Sequence, residues 1–155
     1  MRFDDHPERW MGQHQLIELL EDFGKYTHAV TPTLKHKYSL IRMKREAERA
    51  TKIYLRRVNS TYFGKLYNRG KKSLPVCTFF ETKLFGENPH LHIAIGSPEG
   101  VSYEEFQSVL VSSKEFIDLF NQQFDVRPFT SSGWLGYISK GGQDALIPSC
   151  CSRSK

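Results

Sequence analysis

The sequence lacks the features that would place it in a membrane or outside the cell. No apolar run approaches the roughly 20 residues that span a bilayer, and residues 1–7 carry neither the charged segment nor the apolar segment of a secretion signal. Only three cysteines are present, Cys77, Cys150 and Cys151, and none has the C-x-x-C spacing that holds zinc or performs redox chemistry. We therefore expect a cytoplasmic protein of a reducing compartment, without disulfides and without a membrane partner.

Linkers and repeats are also missing. No Gly/Ser/Pro-rich stretch divides the 155 residues, and no internal repeat or low-complexity block occurs. The length favours one domain that can bury a proper core. We expect this domain to span residues 1–147 and to be followed by a flexible tail at 148–155.

Negative charge is scarce in one long stretch. Residues 35–72 hold 13 Lys and Arg but only two acidic residues, Glu46 and Glu48, which gives this stretch +11 and leaves −6 for the rest of the chain. Such a one-signed stretch is typical of a surface that binds a phosphate backbone. An anionic membrane would fit the charge as well, but the apolar positions here are few and partly Ala or Tyr, which makes a poor membrane anchor.

Apolar periodicity, capping patterns and turn residues predict a mixture of helices and strands. Four helices are expected, over 8–23, over 37–68, from 102 onward and over 132–140. The second has a candidate break at Asn59–Ser60, a second capping box at 112–115 would restart the third, and Gly141–Gly142 would end the fourth. Strands are expected over 26–31, ending at Pro32, over 76–82, around His90 and His92 after a hairpin connection at 86–89, and over 124–129, where Pro128 suits an edge strand.

From residue 26 to residue 129 the predicted order is β-α-β-β-α-β, which matches the split βαβ (ferredoxin/RRM-like) arrangement. We therefore predict an α+β fold with an antiparallel sheet, helices mainly on one face and a long basic helix inserted after the first strand. Central strands of such a sheet can present a polar site on the face that the helices leave open.

Two histidines lie in one predicted strand, separated by a single residue. His90 and His92 therefore share one face, and two neutral imidazoles can converge on one metal ion; a half-buried strand without a ligand is the alternative. Glu81 is best placed as the third ligand, on the strand expected to pair with the histidine strand, while Glu87 is nearer in sequence but lies in the loop. This ligand set suits Mn²⁺ or Mg²⁺ acting on phosphate, with Zn²⁺ or the non-haem iron of oxygenases as alternatives.

Tyr137 and Lys140 lie three residues apart on the last predicted helix, so they share one helix face. A phenol is a poor nucleophile at neutral pH, but it becomes useful where a metal polarises the electrophile and a cation stabilises developing charge. A packing role is the alternative for one of seven tyrosines.

Three short motifs together resemble a known family. His90-Leu91-His92 resembles the histidine-hydrophobe-histidine motif of the HUH endonucleases, and Tyr-Ile-Ser-Lys-Gly-Gly at 137–142 resembles the Tyr-x-x-Lys motif of their single-tyrosine rolling-circle replication initiators, the Rep type. Val-Thr-Pro-Thr at 30–33 is similar to the first-strand motif of that family. The motifs stand in the initiator order, and Glu81, nine residues before His90, is where such initiators place the carboxylate ligand. The resemblance spans residues 26–146.

The resemblance implies a metal-dependent, site-specific endonuclease that nicks and rejoins single-stranded DNA and so initiates rolling-circle replication of a plasmid or virus. Mn²⁺ or Mg²⁺ would be held by Glu81, His90 and His92. Tyr137 would attack the DNA phosphate to form a 5′-phosphotyrosine, and Lys140 would orient or neutralise that phosphate. Its partners would be single-stranded or origin hairpin DNA and the host replication helicase and polymerase. Cations of the basic helix would hold the strand, with these candidates: Arg42, Lys44, Arg45, Lys52, Arg56 and Arg57.

Three other functions stay open. A single-tyrosine transposase would use the same chemistry. A non-catalytic module could bind single-stranded nucleic acid through sheet aromatics such as Tyr26, Phe79 and Phe80, but the two histidines would then have no task. A metal-dependent hydrolase that uses water would leave Tyr137 without a task.

Overall fold

A computed structural model describes residues 12–83, 88–130, 132–140 and 144–155. Its elements follow in this order: α1 (Gln13–Glu21), β1 (His28–Leu34), α2 (Leu40–Phe63), α3 (Lys65–Asn68), β2 (Val76–Glu81), β3 (His90–Ile95), α4 (Tyr103–Ser112), β4 (Phe120–Pro128), α5 (Ser132–Ile138) and a 3₁₀ helix (Pro148–Cys150). The start of the first predicted helix at 8–11, the loop residue Glu87 and the terminating Gly141–Gly142 lie outside the described residues. In the described part of the chain, no helix combines the length and apolar composition that a membrane span requires.

The four strands form one antiparallel sheet in the order β2-β3-β1-β4. α2 connects β1 to β2 along the chain, and β3 lies between these two strands in the sheet. This is the topology of the split βαβ arrangement. The predicted α+β fold, with an antiparallel sheet and a long helix after the first strand, is confirmed.

Side chains alternate across the strands, so each face of the sheet has its own core. On one face Leu91 and Ile93 pack in the core that α2 and α4 cover. On the other face Phe79 and Ala94 pack with α1 and α5. The expectation of helices mainly on one face is met by α2 and α4, while α1 and α5 add a second, smaller layer.

β1 continues past Pro32, where the sequence predicts its end. Pro32 is paired with Phe124 of β4, and the register shifts between Pro32 and Leu34. A proline cannot donate a hydrogen bond to a neighbouring strand, so within a sheet it is tolerated at such an irregularity.

α2 ends at Phe63, and the next residue, Gly64, has a φ of 52°, a left-handed conformation that glycine adopts easily. The candidate break at Asn59–Ser60 is not present, because the side chain of Asn59 bonds within the helix. Its Nδ2 donates to the carbonyl oxygen of Leu55 at 2.9 Å, and its Oδ1 accepts the N–H of Leu74 at 2.9 Å.

The second capping box, at 112–115, does not restart a helix. Arg57 of α2 donates to the carbonyl oxygens of Ser113 and Glu115, so these turn carbonyls already have a partner. The buried Ile117 leads into β4, which begins at Phe120 instead of residue 124.

Residues 148–155, which the sequence analysis expects to form a flexible tail, pack along the outer edge of β2. Ser152 exchanges backbone hydrogen bonds with Val76 at 2.9 and 3.0 Å, and Ile147 donates to Thr78 at 2.9 Å. Cys150 is only 2% exposed. An edge strand presents unpaired backbone N–H and C=O groups, and the tail satisfies those of β2.

Candidate metal and nucleophile site

The pairing of β2 with β3 brings a carboxylate next to two imidazoles. Glu81 lies directly opposite His90, and Phe79 lies opposite His92, so all three polar side chains rise from the same face of the sheet. Oε2 of Glu81 lies 2.9 Å from Nε2 of His92 and 3.5 Å from Nε2 of His90. One ligand atom from each residue falls within 4.8 Å of the others.

These donor atoms fit a divalent cation. Two ligand atoms bonded at right angles to one cation with bonds of about 2.1 Å stand about 3.0 Å apart, close to the observed 2.9 and 3.5 Å. The tautomer of His90 also suits ligation. Its Nδ1 lies 2.9 Å from the carbonyl oxygen of Asn88. A carbonyl oxygen can only accept, so a neutral imidazole that binds a metal here carries its hydrogen on Nδ1 and offers the lone pair of Nε2.

His92 is the buried member of the cluster, at 7% exposure. Burial lowers its pKa, although the neighbouring Glu81 acts in the opposite direction, so the imidazole is held neutral at neutral pH. Its ring stands edge-on to Trp134 and Tyr137, with ring centroids 6.0 and 6.1 Å away. Within the described residues its Nδ1 is buried without a hydrogen-bond partner. Among the described residues, the ring is therefore held by packing and by its contact with Glu81.

Glu81 also faces a cation. Nζ of Lys140 lies 3.0 Å from Oε1 of Glu81, the oxygen that the histidines do not contact. Partial burial tends to raise the pKa of Glu81, but hydrogen bonds from Lys140 and His92 outweigh it and hold the pKa below its usual value. The hydrogen bond to Glu81 in turn raises the pKa of Lys140. The carboxylate is therefore ionised and shared between the imidazoles and the ammonium group.

α5 presents Tyr137 beside this cluster. The tyrosine is 57% exposed, and Nζ of Lys140 lies 4.2 Å from the centre of its ring. α5 ends at Ile138, and Lys140 follows in a turn, not in the helix that the sequence predicts. Gln13 of α1 donates to the carbonyl oxygen of Gly136 at 2.8 Å and so anchors α5 against α1.

Two residues that orient the site were missed from sequence. Trp134 packs against His92, and its spacing of three from Tyr137 on one helix was an available signal. Gln13 contacts α5 across more than a hundred residues of chain, and no local pattern indicates such a contact.

The six cations predicted to hold DNA do not share one role. Arg42, Arg45, Lys52 and Arg56 lie on the exposed face of α2. Lys44 donates to the carbonyl oxygen of Asp144 and faces a cavity of about 610 Å³ that Glu81 and Lys140 also line. Arg57 is committed to the turn after α4. Lys44 is thus the predicted cation that the fold brings to the candidate site.

The sheet aromatics of the non-catalytic alternative are not accessible. Tyr26, Phe79 and Phe80 are 7%, 0% and 7% exposed, and the hydroxyl of Tyr26 donates to the carbonyl oxygen of Leu20 at 2.5 Å. Stacking requires an open ring face. The prediction that these three rings could bind bases is therefore wrong.

Comparisons with known proteins identify one distant structural likeness. No protein-family model matches the chain, and no curated protein matches its sequence. A solved structure of a REP-associated tyrosine transposase bound to a REP hairpin aligns with a TM-score of 0.36 and 8% identity, over 74% of this chain and 62% of that chain. The aligned part thus spans less than two thirds of that protein. Function is therefore inferred below from the side chains of the site.

Proposed function

We propose that this protein is a metal-dependent enzyme that nicks and rejoins single-stranded DNA through a covalent bond to Tyr137. The observation that carries the proposal is the convergence of Glu81, His90 and His92 beside an exposed tyrosine whose neighbour is a lysine. A metal-binding triad alone fits many reactions. An accessible phenol next to that triad favours phosphoryl transfer to the protein over transfer to water.

Each side chain has a stated role in the proposal. Glu81, His90 and His92 hold a divalent cation, Mn²⁺ or Mg²⁺, which supplies Lewis acidity towards a phosphate oxygen when bound. The oxygen of Tyr137 forms a bond to phosphorus as its proton leaves to solvent. The bond from phosphorus to the 3′ oxygen breaks, and that oxygen takes a proton. Lys140 offsets the negative charge that develops on the phosphate.

The products are a 5′-phosphotyrosine and a free 3′-hydroxyl. The same side chains can catalyse the reverse reaction, so the enzyme can rejoin the strand. For the biological role we propose initiation of rolling-circle replication, in which a host polymerase and helicase extend from the 3′-hydroxyl at an origin, single-stranded or folded as a hairpin. The exposed cations of α2 would attract the strand.

A random library of single-stranded DNA tests the chemistry, because the target sequence need not be known. The library, labelled at either end, is incubated with the protein and Mn²⁺ and resolved on a denaturing gel. We expect the 3′-labelled fragment to remain on the protein and the 5′-labelled fragment to be released. Tyr137→Phe should form no adduct, while Tyr67→Phe, a matched loss of a hydroxyl on α3, should form it. Cleavage without an adduct would contradict the proposal and favour a water nucleophile.

The sequences recovered from the adducts separate the two biological roles. An initiator should nick a purified plasmid or viral origin that carries the recovered sequence and leave a 3′-end that a polymerase extends. Excision and joining of a defined DNA element flanked by that sequence would instead identify a transposase.

Metal binding has a readout independent of activity. At a hundredfold excess over the dissociation constant, a bound cation stabilises the fold by about 2.7 kcal/mol, which for a chain of this size raises the unfolding temperature by roughly 5–10 °C. His92→Gln and Glu81→Gln should lose this rise, and Lys140→Gln should keep it. A full rise in Glu81→Gln would reject Glu81 as a ligand.

A further inference from the structure

Phe116 is held in a conformation that costs stability. Its side chain is 96% exposed, and its φ is 62°, in the left-handed region. An exposed phenylalanine forgoes the stabilisation that burial of its ring would give, and a left-handed conformation is unfavourable for a residue with a bulky side chain. A backbone outlier of this kind that also projects an aromatic ring into solvent favours a functional role.

The turn that carries Phe116 is tied down on both sides. Before it, Arg57 donates to the carbonyl oxygens of Ser113 and Glu115. After it, Ile117 is buried at 8% exposure, and its N–H donates to the carbonyl oxygen of Lys114 at 3.2 Å. These contacts therefore hold the backbone of the turn from which the ring projects.

A small cleft lies beside the ring. It has a volume of about 210 Å³, and Phe116 lines it together with Tyr38, Arg49 and Ile53. Ile53 is 44% exposed. These four residues are called the Phe116 patch. The patch offers planar and apolar surface for one ring system and is too small for a helix or strand of a partner.

The charge around the patch is positive. Arg49 is exposed and forms no ion pair or hydrogen bond with any described residue. Glu46 and Asp118 also line the cleft, but both are already compensated. Asp118 accepts from both Lys35 and Lys37, and Glu46 lies 4.0 Å from the guanidinium of Arg42. The patch therefore suits an anionic ligand with a flat apolar group.

Arg49 lines the cleft and also belongs to a row of cations on α2. At intervals of three and four residues, the exposed face of α2 carries Arg42, Arg45, Arg49, Lys52 and Arg56. Cations along one line match phosphates along a strand, whereas a folded acidic protein would not need the open ring of Phe116.

We propose that Phe116 stacks on an unpaired DNA base while Arg49 binds an adjacent phosphate. This contact lies on the α2 side of the sheet, away from the Glu81, His90 and His92 side chains, and would hold DNA flanking the nick. The choice of DNA as the ligand rests on the proposed function, but the contact does not depend on a covalent bond to Tyr137. Base stacking on aromatic side chains is a sequence-tolerant way to hold single strands.

Binding measured without metal tests this contact. Fluorescence anisotropy follows labelled oligothymidine and an abasic strand of equal length, both with EDTA present. Phe116→Ala should weaken binding of oligothymidine by roughly 5- to 150-fold, the range for loss of one stacked base, and should leave the abasic strand unaffected. Phe116→Trp should restore affinity. Leu66→Ala, which truncates an exposed apolar side chain on α3, is the matched control and should bind as the wild type does.

Arg49→Gln separates the charge from the ring. It should weaken binding of both strands and lower the dependence on salt. Phe116→Gly should keep or raise the unfolding temperature, because glycine accepts the left-handed conformation that costs phenylalanine stability, so a loss of DNA affinity in this variant would not reflect unfolding.

Equal affinity of Phe116→Ala and wild type for oligothymidine would overturn the proposal. A wild-type dimer in light scattering that Phe116→Ala dissociates, with DNA affinity unchanged, would assign the ring to a contact between copies instead. Because no metal or cleavage enters the assay, failure to form a Tyr137 adduct would leave this test intact. In the same way, a failure of the stacking proposal would not change what the adduct experiment shows about Tyr137.

Discussion

A Cβ atom added at Gly96, at the end of β3, would stand 2.2 Å from the carbonyl oxygen of Lys25 and 2.6 Å from Cγ of Pro75. Real Cβ contacts essentially never fall below 3.0 Å, so Gly96→Ala requires a shift of at least 0.8 Å between backbone segments. The N–H of Gly96 donates to the carbonyl oxygen of Pro75 at 3.0 Å, and movement of Pro75 away from the new Cβ atom would weaken that bond. Overpacking costs about 1–3 kcal/mol and the hydrogen bond about 1 kcal/mol, so the free energy of unfolding should fall by about 2–4 kcal/mol.

Gly136 in α5 provides the matched control. A Cβ there meets only Cδ1 of Ile17, at 4.0 Å. Alanine favours a helix over glycine, so Gly136→Ala should raise the free energy of unfolding by about 0.5–1 kcal/mol. The same substitution should thus have opposite signs at the two positions.

Urea unfolding followed by circular dichroism measures both variants. In thermal unfolding, Gly96→Ala should lower the midpoint by roughly 5–15 °C and Gly136→Ala should raise it by roughly 1–4 °C. A Gly96→Ala variant within about 0.5 kcal/mol of wild type would refute the close approach of residues 25 and 96. A destabilised Gly136→Ala would refute the helical environment of α5.

Two further predictions concern buried polar groups. Burial lowers the pKa of His28, whose Nε2 lies 3.1 Å from the carbonyl oxygen of Tyr103. Below about pH 6.5, the ordinary pKa of histidine, His28 therefore binds more protons in the unfolded chain than in the folded protein. The stability that His28 contributes should be fully present above that pH and be lost as pH falls. In urea unfolding between about pH 7 and 5, the free energy of unfolding should therefore fall less in His28→Phe than in the wild type; an equal fall in both proteins would contradict this. Asn59→Leu removes the acceptor of the buried Leu74 N–H and should lower the free energy of unfolding by about 1–3 kcal/mol; a neutral result in the same assay would show that this N–H finds another partner.

Much of the fold was predictable because its signals are local. The alternation of apolar residues in β3, the three- and four-residue intervals of α2 and the capping serine before α4 each involve only a few neighbouring positions. Ser102 caps α4, since its Oγ accepts the N–H of Glu105 at 3.1 Å. These signals also gave the element order from which the split βαβ topology follows.

The errors arose where distant residues decide the structure. Pro32 stays within β1 because β4 pairs with it, and 112–115 does not restart a helix because Arg57 of α2 bonds the turn carbonyls. Residues 148–155 pair with β2 because that strand has a free edge. In each case a long-range hydrogen bond outweighs a local preference.

The sequence by itself determined that His90 and His92 share a face, because the strand period of two places them there. It also indicated Glu81 as their neighbour, through the expected hairpin pairing. Only the tertiary structure decided that Lys140 contacts Glu81 and that Tyr137 stands beside His92, because both depend on how α5 docks on α1 and the sheet. Docking is the sum of many weak contacts between distant segments, and no local pattern records it. The same holds for Phe116, whose outward direction is set by the turn that Arg57 and Ile117 hold in place.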